Sequence, residues 1–183
     1  MKTERDKYVF LTKAPVSCVI LTMAIPTIIS MLITSAYNVA DTYFVGRINT
    51  QSTAAVGIAF SMMSVVQAVG FFFGHGSGNF MSRSLGARCV RRAQMMATTG
   101  LVLSWMTGCV VAIIGLAFLE PIAIGLGSTP TILPYAKDYL GIVLLGVPFM
   151  TTSFTLNNQM RFQGNAMYAM FGVLSGAVLN ILL

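Results

Sequence analysis

Along this chain long apolar stretches alternate with short polar ones. Residues 14–40, 48–82, 93–119, 139–160 and 162–183 contain no Asp, Glu, Lys or Arg. Each reaches the roughly 20 residues that an α-helix needs to cross about 30 Å of hydrocarbon. The pattern predicts an all-α polytopic membrane protein with about five transmembrane helices. Allowing for turns, the spans fall near 14–46, 54–82, 93–119, 135–160 and 166–183, preceded by a polar segment at 1–13.

Punctuation within the runs refines this picture. Pro26 lacks a backbone N–H and its ring crowds the preceding turn, so a bend is expected about half-way along the first span. Residues 49–53 read as an outer loop, with the second helix starting near Ala54. Gly70, Gly74, Gly76 and Gly78 predict close helix packing in that second span. The segment Gly74-His75-Gly76-Ser77-Gly78 is no nucleotide loop, because no strand precedes it and no Lys-Ser/Thr follows. The third span carries Gly100, Gly108 and Gly115, and Glu120-Pro121 reads as its stop. Residues 125–134 read as an outer loop preceded by a short interfacial helix, and 161–165 as a compact inner turn. The fifth span is still apolar at Leu183, so the chain reads as ending within a helix.

Composition excludes an ordinary water-soluble domain: 56% of residues are hydrophobic, only 9% are charged, and the mean hydropathy is +0.79. The net charge of +6 raises nucleic acid as a partner, but the placement of the charges argues against it. Lys2, Arg5, Lys7 and Lys13 precede the first span, Arg83, Arg88, Arg91 and Arg92 follow the second, and Arg161 follows the fourth. If every run crosses once, these nine of the eleven basic residues share one side. The positive-inside rule makes that side, and the N-terminus, cytoplasmic. The apolar run after residue 13 is too long for a signal-peptide core. Cys18, Cys89 and Cys109 are odd in number and widely spaced, so no disulfide framework or metal cluster is expected.

Within the first apolar segment, residues 14–46, Asp41 is the only acidic residue. An ionised Asp at mid-bilayer costs about 2.5–3.5 kcal/mol, which makes it a functional candidate. The segment also exceeds the hydrocarbon core by roughly 15 Å at 1.5 Å per residue, so Asp41 at the outer interface, paired with Arg47, is the competing reading. Thr34, Tyr37 and Asn38 precede Asp41 by seven, four and three residues and share its helix face. Such a polar row is expected to face protein or water rather than lipid. Burial would raise the carboxyl pKa and suit it to exchange a proton or hold a cation. Asn157, Asn158, Gln159 and Asn180 add neutral hydrogen-bonding groups. His75 reads as packed and hydrogen-bonded, and Gln67 and the thirteen methionines as interior packing, although a Met-rich wall also suits a cavity that accepts varied ligands.

Several of these features stand together in one order. Ala24-Ile25-Pro26, then Tyr37-Asn38-x-x-Asp41-Thr42 through Gly46, then Gly76-x-Gly78 leading to Ser82-Arg83-x-Leu85-Gly86-Ala87, then Arg161-x-x-Gly164-Asn165 and Gly176-x-x-x-Asn180, span nearly the whole chain. In this the sequence resembles the N-terminal lobe of multidrug and toxic compound extrusion (MATE) transporters. The resemblance implies an antiporter that exports amphipathic, often cationic, compounds in exchange for H⁺ or Na⁺, with no further cofactor. It matches Pro26 to a bending proline, Asp41 to the coupling carboxylate, and Tyr37, Asn180 and Asn157 to its hydrogen-bond network, with Na⁺ at Asp41 and Asn180 as an option.

A sixth helix and a second lobe complete that pattern and are not within these residues. The chain is therefore expected to be a fragment or one part of a split transporter, completed by a C-terminal lobe or a second subunit. Its expected location is the cell membrane. A lipid or oligosaccharide-lipid flippase of the same superfamily, or a transport-inactive truncated membrane protein, are the rival readings. No Ser/His or paired-Asp constellation points to an intramembrane enzyme.

Overall fold

The computed structural model describes residues 4–47 and 50–182; the side chains of residues 4–8, 41, 45, 50–52 and 180–182 lie outside that description. The described elements are seven helices, α1 (Glu4–Lys13), α2 (Val16–Gly46), α3 (Thr50–Gly86), α4 (Val90–Ala117), α5 (Leu119–Gly125), α6 (Leu133–Phe162) and α7 (Ala166–Leu182). Four of them, α2, α3, α4 and α6, are long and apolar enough to cross a membrane. α7 has 17 residues, about 25 Å at 1.5 Å per residue.

Helix boundaries depart from expectation where local chemistry overrides hydropathy. The N-terminal segment contains a helix of its own, α1. α2 starts at Val16 instead of residue 14, because a proline disfavours helical geometry at the residue before it. The Pro15 carbonyl accepts the first bonds, from the Cys18 and Val19 N–H groups at 2.9 and 3.2 Å. The loop expected up to residue 53 is already helical from Thr50, since nothing in Gln51-Ser52-Thr53 breaks a helix. α6 begins at Leu133 with Pro134 in its first turn, where the missing N–H has no partner to lose. Pro121 likewise enters the first turn of the short α5 instead of only ending α4.

Three turns share one closure. After α3, α5 and α6 a backbone N–H reaches back five residues: Cys89 to Ser84, Ser128 to Ala123, and Asn165 to Met160, at 2.9, 3.0 and 2.9 Å. This closure needs a left-handed residue just past the helix. Gly127 and Gly164 supply it at φ 101° and 75°, whereas after α3 it is Arg88, at φ 58°.

Small residues set the packing of α3, α4 and α6, which form the core. On α3, a methyl group built at Gly70 would lie 2.6 Å from Phe154 Cβ, one at Gly74 would lie 2.8 Å from Asn158 Cβ, and one at Gly78 would strike Phe162. Both sets step by four residues in the same direction, so α3 and α6 run parallel with ridge laid in groove. On α4 the order reverses: Gly100 meets Gln159, Gly108 meets Thr151 and Pro148, and Gly115 meets Leu144. α4 is therefore antiparallel to α6. Gly76 was expected to join the α3 contacts, but nothing lies within 4 Å of it. Two residues from Gly74 and Gly78 is about 200° around a helix, which turns it to the opposite face.

This arrangement puts Arg83, Arg88, Arg91, Arg92 and Arg161 at one end of the bundle and Glu120, Lys137 and Asp138 at the other. α2 and α7 pack chiefly against each other and touch the core through α3 and α6. The space left between that pair and the core is the candidate site.

Candidate functional site

Helical spacing on α2 brings Thr34, Tyr37, Asn38 and Thr42 to one wall of a cavity of about 410 Å³. α3 contributes Phe60, Met63, Ser64 and Gln67 to the facing wall, α6 contributes Tyr139, Met150 and Phe154, and α7 contributes Val173, Gly176 and Ala177. The described lining combines aromatic rings, thioethers and neutral hydrogen-bonding groups and contains no charged side chain. Of the polar row expected to face protein or water, Thr34, Tyr37 and Asn38 line this cavity.

Local bonds hold the row in position. The Thr34 hydroxyl donates to the Ser30 carbonyl at 2.9 Å, and the Thr42 hydroxyl to the Asn38 carbonyl at 2.9 Å. α2 stays helical through Pro26, which is buried, and the Ser30 hydroxyl donates to the Pro26 carbonyl at 2.8 Å. The side chains of Asp41 and Asn180 lie outside the described residues. Their helical positions place Asp41 on the face of Tyr37 and Asn38, and Asn180 on that of Gly176 and Ala177. At the end of α2, Arg47 donates to the Tyr43 hydroxyl, with its guanidinium 4.9 Å over the Tyr43 ring.

Other candidates lie away from the cavity. Asn157 is not among its lining residues; its amide donates to the Ala169 carbonyl on α7 at 3.0 Å, while its oxygen accepts from Arg161 Nε at 3.0 Å. It ties α6 to α7. His75 places Nδ1 2.9 Å from the Phe71 carbonyl oxygen and packs edge-to-face on Phe71 and Phe162. Gln67 and two of the methionines, Met63 and Met150, line the cavity.

Behind the cavity runs a buried polar spine that residue-by-residue reading did not assemble. Thr151, Thr155 and Gln159 recur every four residues on α6 and are at most 1% exposed. The Thr155 hydroxyl lies 2.8 Å from Ser104 Oγ on α4 and 3.2 Å from the Gly70 carbonyl oxygen on α3. Gln159 Nε2 donates to Ser77 Oγ at 2.9 Å and to the Ala97 carbonyl at 3.1 Å. These bonds join all three core helices, so the spine fixes the wall against which α2 and α7 close. Its signal in the sequence is the recurrence of Thr151, Thr155 and Gln159 every four residues along an apolar span.

At the opposite end from the arginines, Lys137 Nζ lies 2.8 Å from Glu120 Oε2 and joins α5 to α6. The hydrogen bond and charge of Lys137 hold the Glu120 carboxyl below the ordinary carboxylate value.

Known proteins share this fold. The MatE family model matches residues 26–183. Multidrug export protein MepA of Staphylococcus haemolyticus (strain JCSC1435) is 31% identical over 161 residues, covering 87% of this chain and 36% of that protein. MepA of Staphylococcus aureus (strain MRSA252) is 28% identical and aligns with 100% of this chain and 40% of its own length. A crystal structure of MATE in the bent conformation is similar at TM-score 0.88 and 28% identity, with 97% of this chain and 40% of that one covered. A MOP superfamily transporter from Pyrococcus furiosus, described as having a binding pocket of reverse polarity that suggests a different function, is similar at TM-score 0.89 and 28% identity. It covers 97% of this chain and 39% of its own. The chain thus spans about 40% of the length of such relatives. With the family model matched over residues 26–183 and the fold shared at TM-score 0.88, this chain belongs to the MatE family of multi-pass membrane transporters.

Proposed function

We propose that residues 14–183 form most of the first lobe of a cation-coupled exporter of amphipathic or cationic compounds, with residues 1–13 cytoplasmic and the lobe in the cell membrane. The observation that carries this reading is the cavity between the α2 and α7 pair and the core, whose polar side is the Tyr37 and Asn38 row. Aromatic and Met walls accept flat apolar bodies of varied shape, while the amides and hydroxyls meet their polar ends. Asp41 is the coupling carboxylate in this reading, because a group on the face of that row alternates between water and a closed apolar site as the cavity opens and shuts. It releases a proton or holds Na⁺ together with Asn180, assisted by Tyr37. Asn157 acts one step removed, by setting the angle of α7 on α6. Pro26 gives α2 the place at which to bend, since the Thr22 carbonyl finds no N–H there. The remaining length of the relatives is supplied by a C-terminal lobe or a second subunit.

The relatives named for multidrug export support this substrate class, and a described lining without a charged side chain, with Asp41 alone added on the same helix face, supports it over a flippase that handles charged lipid-linked headgroups. Ethidium efflux from cells expressing this chain, an Asp41→Asn variant or empty vector tests the coupling role. Where the chain assembles a working pathway with a second copy of itself, efflux exceeds vector and is lost in Asp41→Asn, and efflux that survives the substitution sinks the assignment; no efflux from either means that the remaining lobe is required for transport. Repeating the assay with and without Na⁺ at fixed pH separates the two coupling ions.

A further inference from the structure

Four rings lead out of the cavity along the groove between α3 and α6. Phe154, on the cavity wall, meets Phe71 at 6.0 Å between centroids and 77° between planes. Phe71 meets His75 at 5.3 Å and 84°, and His75 meets Phe162 at 5.7 Å and 83°. The glycines on α3 make this row possible, since Gly70 and Gly78 leave the space that Phe154 and Phe162 occupy. From Phe154 to Phe162 is eight residues of helix, about 12 Å along the axis, toward the end that carries the arginines.

The open side of this row is polar as well as aromatic. Gln67, Phe71, His75 and Asn79 recur every four residues on α3; Gln67 lines the cavity, and the other three are exposed. Such a row is costly against lipid and belongs on a water-filled passage. The Phe71 carbonyl can only accept a hydrogen bond, so His75 Nδ1 donates to it. With the proton on Nδ1, Nε2 is the ring nitrogen left to accept a hydrogen bond. Ring faces attract cations and planar π-systems, and Nε2 adds an acceptor for a bound N–H.

We propose that Phe154, Phe71, His75 and Phe162 form an entry track for planar aromatic cations, running from the arginine-bearing end of the bundle into the cavity. It rests on the exporter reading above and adds a second binding region to it. Ethidium binding to the purified chain in lipid nanodiscs, followed by fluorescence, tests it. Phe71→Leu and His75→Leu each weaken binding about fivefold or more, the loss expected for an aromatic contact, and Phe71→Tyr restores it. Phe72→Leu, at a ring 74% exposed on another face, has no effect. If the parent chain binds ethidium and Phe71→Leu and His75→Leu bind it equally well, the track is wrong and the exporter reading stands. If the parent chain binds no ethidium, both fall.

Discussion

Gln159 offers the sharpest test of how the core is held. Its amide donates across to both α3 and α4, and the side chain is 1% exposed. Gln159→Leu keeps the volume nearly constant and deletes both bonds. Interhelical hydrogen bonds in membrane proteins average about 0.6 kcal/mol and reach about 1.7, so two predict a loss of about 1.2 kcal/mol with a ceiling near 3.4. The lower figure applies here, because Ser77 still donates to the Phe73 carbonyl. Unfolding in mixed micelles with rising SDS measures the loss. The single tryptophan, Trp105 of α4, lies 5.0 Å from Phe149 of α6 and reports their separation by fluorescence. A double-mutant cycle with Ser77→Ala isolates the α3 bond, with an expected coupling of about 0.6 kcal/mol. Coupling below about 0.2 kcal/mol, or a Gln159→Leu variant as stable as the parent, would refute the spine as a stabilising element.

Further outcomes follow from contacts already described. Gly108→Ala drives a methyl group into Thr151 and to 2.8 Å from Pro148 Cα; it should cost about 1–3 kcal/mol in the same assay. Gly76→Ala meets nothing within 4 Å and should be neutral or stabilising by up to about 1 kcal/mol. Gly164→Ala places a side chain at φ 75° and should destabilise by about 1 kcal/mol. Because the pKa of Glu120 is lowered in the fold, its contact with Lys137 contributes stability above its ordinary value of 4.5 and loses it as pH falls through the lowered value. Acid titration of Lys137→Met should show a shallower fall over that window, and an unchanged curve would mean that the pair contributes nothing.

Much of the site was legible because helical periodicity is a local property. Thr34, Tyr37 and Asn38 announce a polar face in any straight helix, and lipid leaves such a face few places to go. Asn157 was not legible in the same way. It lies on a polar stretch with Asn158 and Gln159, yet the three amides point to different neighbours: Asn157 to α7, Asn158 to the Phe154 carbonyl within α6, and Gln159 to α3 and α4. Successive helix residues differ by about 100° in direction, and the partner in each direction depends on which helix packs there. Gly76 and Gly78 show the same limit, since composition treats them alike and packing separates them.

From the chain's own order of residues came the membrane class, the number of apolar runs, the charge asymmetry and the polar face of α2. These depend on transfer between water and lipid, which each segment undergoes with little reference to the others. Tertiary structure decided the parallel pairing of α3 with α6, the polar spine through Thr151, Thr155 and Gln159, and the cavity that the α2 row faces. Contacts between helices are set by matching ridges, glycine gaps and hydrogen-bond partners from distant parts of the chain, and no single segment contains both halves of such a match.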